Sequence, residues 1–391
     1  MMGDKIPFAE LVEFPPSVKL EKGEIYDNIP MDVVDGGNKY VQKIGKKVYT
    51  GGGSKFSNGD TIFARITPCL ENGKIAKVKN LEEESGFGST EFFVFRAKEN
   101  ISDPDFIYYL AKTNLIRQPA IKSMVGASGR QRADKGVVEN ILVPKIPLPT
   151  QFKIASILSS YDDLIEINLK QIRLLEEKAV LSYKQIRYSK TNWQKTIIGE
   201  LATVTSSKRI YLSDYIQEGI PFYRSKEIIA KSNFESIHNP LFISVVKYTE
   251  IKEKFGVPIS GDLLITSVGT IGFIHLVNDD DGDFYFKDGN LIWIRNFIYP
   301  ELTYFLFLKF RSPEFRNLLN SVAIGSSQKA LTIETVKKLI IEIPNSDSLF
   351  NFNEIIKTIL KFINNLQKQN AKLREARDIL LPRLITGEIE V

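Results

Sequence analysis

The 391-residue sequence predicts an α+β or α/β protein: two similar globular domains joined by two long helices that form an antiparallel coiled coil, the whole being an internal repeat with approximate twofold symmetry. Three observations lead there. Sequence blocks recur in the same order at a nearly constant offset, each copy is strand-rich and then helical, and each copy closes on a long stretch with apolar residues spaced alternately by three and four.

The repeat is clearest where GASGRQRADKGVVENILVPKIP (126–147) matches AIGSSQKALTIETVKKLIIEIP (323–344) at an offset of 197, pairing Gln131 with Gln328, Arg132 with Lys329 and Pro147 with Pro344. NGDTIFARI (58–66) matches SGDLLITSV (260–268) at 202, TEFFVFR (90–96) matches GNLIWIR (289–295) at 199, and PDFIYYL (104–110) matches PELTYFL (300–306) at 196. Each copy opens with short apolar runs such as TIFARI, FFVFRA, LLITSV and LIWIR, set between Gly, Asn and Asp turns, which read as strands. Mixed helices follow at PDFIYYLAKTNLIRQPAIKSM and PELTYFLFLKFRSPEFRNLLNSV.

The long helices carry their own periodicity. Ile154, Leu158, Tyr161, Ile165, Asn168, Ile172, Leu175, Ala179, Ser182 and Ile186 form one seam, and Phe352, Ile355, Ile359, Phe362, Leu366, Gln369, Leu373, Ala376 and Leu380 the other. Sustained 3-4 spacing predicts a coiled coil, and 1.5 Å of rise per residue makes each helix roughly 45–50 Å long. One amide interrupts each seam near its middle, Asn168 and Gln369, and antiparallel pairing is expected to bring the two together and fix the register. The expected boundaries are 1–148 and 191–347 for the globular domains and 149–190 and 348–391 for the helical regions.

Composition excludes several chemistries. A single cysteine, Cys69, and two separated histidines, His238 and His275, leave no disulfide framework and few parts for zinc or triad chemistry. No apolar run of about 20 residues suggests a membrane span, and a cytoplasmic, unanchored protein is expected. The net charge of +5 permits a nucleic-acid partner. GGGSK (51–55) lacks the phosphate-loop spacing, NDDDGD (278–283) lacks EF-hand spacing, NPLF (239–242) lacks the second proline of a methyltransferase loop, and EEK (176–178) lies outside the seam as a solvated face. A duplicated domain on paired helices suits a target made of two separated half-sites, and DNA offers half-sites about a helical turn apart.

The blocks IPLPTQFKIASILSSYDDLIEINLKQIRLLEE, NGDTIFARITPCLENGKIAKV with GSTEFFVFR, SGDLLITSVGTIGF with NLIWIR, and ILLPRLITGEIEV together resemble the specificity (S, HsdS) subunit of type I restriction-modification systems, over essentially the whole chain. The resemblance implies two target recognition domains that each read half of an interrupted double-stranded DNA site, and no catalysis. It implies helices that scaffold two modification (methyltransferase) subunits, with S-adenosylmethionine on those partners and no cofactor on this chain, and restriction subunits in the full complex. The second helix departs from the family's pattern, beginning IPNSDSLFNFNEII where the first has IPLPTQFKIA, so different docking is expected there. A protein-interaction adaptor with a coiled-coil spacer is the alternative.

Readers of DNA need cations for phosphates and bidentate polar side chains for base edges. The candidates at loop positions are Asn38, Lys39, Arg65, Thr67, Asn72, Lys74, Arg130, Gln131 and Arg132 in the first domain, and Lys208, Arg209, Arg224, Lys226, Thr270, Gln328 and Lys329 in the second.

Overall fold

The computed structural model describes residues 4–42, 44–127, 129–188, 193–233, 237, 239–325, 329–344 and 349–391. The chain divides into two units, one made of 1–170 with 369–391 and the other of 171–368. The helices Leu148–Tyr188 and Leu349–Ile385 each give one part to each unit.

In the first unit a four-stranded antiparallel sheet runs in the order Val12–Glu13, Phe92–Ala97, Thr61–Ala64, Ile75–Lys77. Thr61–Ala64 is buried throughout, and for that reason it reads as an unbroken apolar run rather than an alternating one. The buried Asp60 precedes it, accepting two 2.7 Å bonds from the Arg96 guanidinium and one from the Ser57 amide. A second sheet, ordered Gly45–Val48, Ile25–Ile29, Ser85–Gly88, Ser54–Ser57, contains one parallel pair. Helices Pro104–Lys112 and Asn114–Lys122 follow, then the short helix Lys135–Glu139 and the ribbon of Leu142–Pro144 with Lys5–Pro7.

The second unit repeats this plan. Its central sheet is Thr203–Thr205, Leu291–Arg295, Leu263–Thr266, Ile274–Leu276, with Asp262 at the place of Asp60 and bonded to Trp293 Nε1 at 2.8 Å. A second sheet again holds one parallel pair, Ile220–Tyr223 with Tyr285–Phe286. Thr303–Arg311, Pro313–Val322, Ile333–Lys337 and the ribbon Gln194–Ile197 with Ile340–Ile343 match their counterparts. Helices Ser225–Ser232 and Val245–Phe255 are additions of this unit among the described residues.

Each unit's core includes the faces of its helix segments. Leu158, Leu381 and Leu384 join Phe63, Phe95 and Phe106 in the first, while Ile172, Ile186, Ile356 and Ile363 join Leu263, Phe305 and Ile341 in the second. Burying each such Leu or Ile contributes roughly 1.5–3 kcal/mol. Within the first unit the helices are antiparallel, because Asn168 meets Asn370 while Asp162, earlier in the chain, meets Arg377, later in it.

The second seam keeps Phe352, Ile359 and Leu366, while its alternate positions move by one residue, to Ile356, Ile363, Asn370 and Arg377. Phe352, Ile356, Ile359, Ile363, Leu366, Asn370 and Arg377 are buried, whereas Ile355, Phe362 and Gln369 are exposed. Adjacent apolar pairs, Ile355–Ile356 and Phe362–Ile363, satisfy either phase, and the second unit's core takes in Ile356 and Ile363. The amide that answers Asn168 is therefore Asn370, not Gln369.

The residues that lead into the second unit's helix, 345–348, lie outside the described residues. Even so, the docking amide is kept: Gln151 donates to the Ile101 and Ile146 carbonyls, and Asn353 donates to the Glu301 carbonyl at 2.7 Å.

Candidate nucleic-acid interface

The equivalence of the two units is set by backbone hydrogen bonds at one end of the central sheet. In the first unit Arg65 N donates to Glu91 O, Thr67 N to Gln131 O, and Ala133 N to Arg65 O. In the second, Ser267 N donates to Asn290 O, Gly269 N to Lys329 O, and Leu331 N to Ser267 O. A small hairpin rises beside this lattice in each unit, closed by Val125 with Arg132 and by Ile324 with Ala330. The second hairpin is one residue shorter, which shifts the register after it.

Arg132 therefore corresponds to Ala330, and Gln131 to Lys329, instead of the pairing that side-chain identity suggests. Gln328, with Ser326 and Ser327, lies outside the described residues, as do Ser128 and His238.

Three equivalent positions carry opposite chemistry. In the first unit they are Arg65, Glu91 and Arg132. Arg132 places Nε on the Glu91 carboxylate at 2.9 and 3.0 Å and Nη2 at 2.7 Å, and Arg65 Nε reaches the same carboxylate at 3.3 Å. The Arg132 guanidinium, then that of Arg65, holds the Glu91 carboxyl below the usual carboxylate range. Arg65 also lies over the Phe93 ring, 5.5 Å from its centroid. In the second unit the positions are Ser267, Asn290 and Ala330, with no cation.

The remaining candidates sort by environment. Thr67 donates to the Glu71 carboxylate at 3.1 Å, Asn72 and Arg130 are exposed, and Lys74 is half-buried on the Met31 carbonyl at 2.8 Å. Lys208 and Arg209 are exposed, the former 4.7 Å from the Phe255 ring centroid and the latter 3.1 Å from Asp288. Arg224 is braced by the buried Glu227 at 2.8 Å; burial alone would raise that carboxyl, and the Arg224 bonds lower it instead. Lys226, Thr270 and Lys329 are exposed. Ser225 Oγ, 3.4 Å from the Asn290 carbonyl, places the Arg224–Lys226 segment at the same sheet end.

Asn38 and Lys39 belong elsewhere. Lys39, 3% exposed, bonds Ser159 Oγ at 2.8 Å and Asp105 at 2.9 Å, and Asn38 Oδ1 accepts from Arg374 at 2.9 Å. Their partners on the long helices make them a docking joint, and burial removes them from reach of a DNA backbone. The spacing missed Glu91, because a carboxylate is an unexpected residue in a DNA-reading cluster; only its position between two arginines in space gives it a role.

Among the described residues no group of His, Cys, Asp and Glu is placed to hold a metal, and no helix is long and apolar enough to cross a membrane. A family model described as the type I restriction modification DNA specificity domain matches residues 10–177 and again 190–377. The chain is 24% identical over 332 residues to the type I restriction enzyme MjaVIII specificity subunit of Methanocaldococcus jannaschii, covering 79% of this chain and 75% of that one. It is 27% identical over 260 residues to a putative type I restriction enzyme specificity subunit, S.HindORF215P, of Haemophilus influenzae, covering 64% and 62%. In fold it is similar to the S subunit of a type I restriction-modification system from M. genitalium, with a TM-score of 0.57 at 16% identity over 97% of this chain and 95% of that one. Two copies of one recognition module, in sequence and in hydrogen-bonded framework alike, place the chain in the type I restriction-modification DNA specificity family, whose members recognise DNA without catalysing a reaction.

Proposed function

We propose that this chain reads an interrupted, two-part site in double-stranded DNA, one part per unit, and carries two modification subunits on its long helices. The observation that carries the reading is the shared framework with exchanged chemistry: the same sheet end presents Arg65, Glu91 and Arg132 in one unit and Ser267, Asn290 and Ala330 in the other. A backbone framework held constant while the residues on it differ, with the half-buried Arg65 answered by the buried Ser267, suits two different half-sites. Residues 1–148 and 191–347 act as the recognition domains, and 149–190 with 348–391 as the helical regions.

Partner assembly is supported by apolar residues that the helix pairing leaves exposed. Ile157 and Leu164, then Ile167, Leu174 and Leu181, recur every seven residues along the first long helix, as do Ile355 and Phe362 along the second. Residues seven apart lie near one face of a helix, so these form stripes of the kind that seat further helices. The chemistry belongs to the partners, which bind S-adenosylmethionine and methylate adenine; restriction subunits join the larger complex. Gel shifts of the chain alone and with a modification subunit plus S-adenosylmethionine, on genomic fragments, test the reading. Mapping of methylated adenines is expected to return a bipartite motif that disappears when the gene is deleted.

A further inference from the structure

Resting on that reading, we propose that Arg132, braced by Glu91, is a base-reading residue of the first unit and recognises a guanine in the major groove of its half-site.

A guanidinium has five N–H donors in a planar fork. Glu91 occupies the edge formed by Nε and one side of Nη2. Among the described residues Nη1 makes only a long, 3.5 Å approach to the Arg130 carbonyl. The outer edge, formed by Nη1 and the other side of Nη2, therefore remains open as a paired donor, and guanine presents a matching pair of acceptors, O6 and N7. The side chain is 46% exposed, at the β-bridge that closes the hairpin. Its orientation is set before binding, so docking on a base costs little rotamer freedom. Glu91 answers two guanidiniums with one charge, which leaves the cluster positive toward DNA.

The second unit supports the same assignment from the other side. A purely structural ion cluster at this joint would be needed twice, because the surrounding backbone bonds are the same in both units. Instead Asn290 replaces the carboxylate and Ala330 the arginine, and the hairpin closes without them. The joint does not need the charges, so their presence in one unit is a matter of what that unit reads. Val125 and Ile324 stand exposed at the base of the two hairpins, where an apolar contact to a thymine methyl is available to both.

The test uses the chain assembled with its modification subunits and maps methylated adenines for the wild type and for Arg132→Gln and Glu91→Gln. Arg132→Gln is expected to relax one G·C position in one half of the motif, lowering discrimination there about 5- to 150-fold, with the other half unchanged. Glu91→Gln, which keeps the cation and removes its brace, is expected to relax the same position less. An unchanged motif in both variants overturns the proposal, and so does a uniform loss of affinity with a salt slope lower by about one, the mark of a phosphate contact. A wild-type complex that methylates no bipartite motif removes the underlying reading, and this inference with it.

Discussion

Asn168 Nδ2 donates to Asn370 Oδ1 at 2.9 Å, joining residues 202 positions apart in a mostly apolar seam. Both side chains are buried, so neither amide can exchange its partner for water. Replacing either one by Leu strands the other, at a cost of about 1–3 kcal/mol. The Asn168→Leu/Asn370→Leu double variant is expected to recover most of that loss, and thermal melts of the four-member cycle measure the coupling. Gln369→Leu, on the exposed side, is expected to stay within about 0.5 kcal/mol of the wild type.

The next polar layer is ionic. Arg377 and Asp162 are both about 1% exposed by side chain, and Asp162 also accepts from the Tyr109 hydroxyl at 2.6 Å. Arg377→Met leaves a buried carboxylate without its cation, and a loss of about 3–5 kcal/mol is expected in denaturant titration. Asp162→Asn combined with Arg377→Met is expected to be milder than Arg377→Met alone.

Lys112 gives a pH signature. Burial, aided by the nearby Arg377, pushes its ammonium down to about 8 from the ordinary 10.5, while Nζ donates to the Gly36 carbonyl at 3.0 Å. Between those values the unfolded chain holds a proton that the folded chain has released, so this group's contribution to stability rises with pH across that window. Below about pH 8 both forms are charged and the burial cost stands in full. Lys112→Met is expected to stabilise the protein at about pH 7, with its advantage over the wild type shrinking toward about pH 10.5 in paired melting curves.

Exposed cations at the sheet ends are expected to act on phosphates. Lys226→Ala and Lys329→Ala are each expected to weaken DNA binding by the assembled complex evenly across sequences. Each phosphate that goes unneutralised is expected to flatten the slope of log affinity against log salt by about one, as read in titrations at several salt concentrations.

The exposed apolar stripes give a fifth prediction. Leu174→Glu and Phe362→Glu replace side chains 55% and 57% exposed, so the isolated chain is expected to keep its melting temperature. Association with modification subunits is expected to weaken by roughly tenfold or more, as measured by sedimentation or titration calorimetry.

The repeat, the strand-rich domains and the two long helices were legible because each follows from a pattern along the chain: block order, short apolar runs between turn residues, and a period of about 3.5. What escaped depended on partners far away in sequence. Ile355–Ile356 and Phe362–Ile363 fit either phase; the second unit's core takes in Ile356 and Ile363, and Asn168 and Asp162 meet Asn370 and Arg377 in that same phase. Asn38 and Lys39 look like a polar loop, and it takes Arg374, Asp105 and Ser159 to make them interior. In the hairpins, matching Gln131 to Gln328 by identity overlooked one residue of loop length, which the bonds to Thr67 and Gly269 reveal.

Residues 171–368 form a unit from one uninterrupted stretch, whereas 1–170 must wait for 369–391. Arg374 and Arg377, which grip the Gly37 carbonyl, are among the residues awaited. During synthesis the portion made first is therefore the portion completed last. Until then it leaves the ribosome with the faces of Leu158 and Phe106 lacking Leu381 and Leu384, an apolar surface open to aggregation during synthesis.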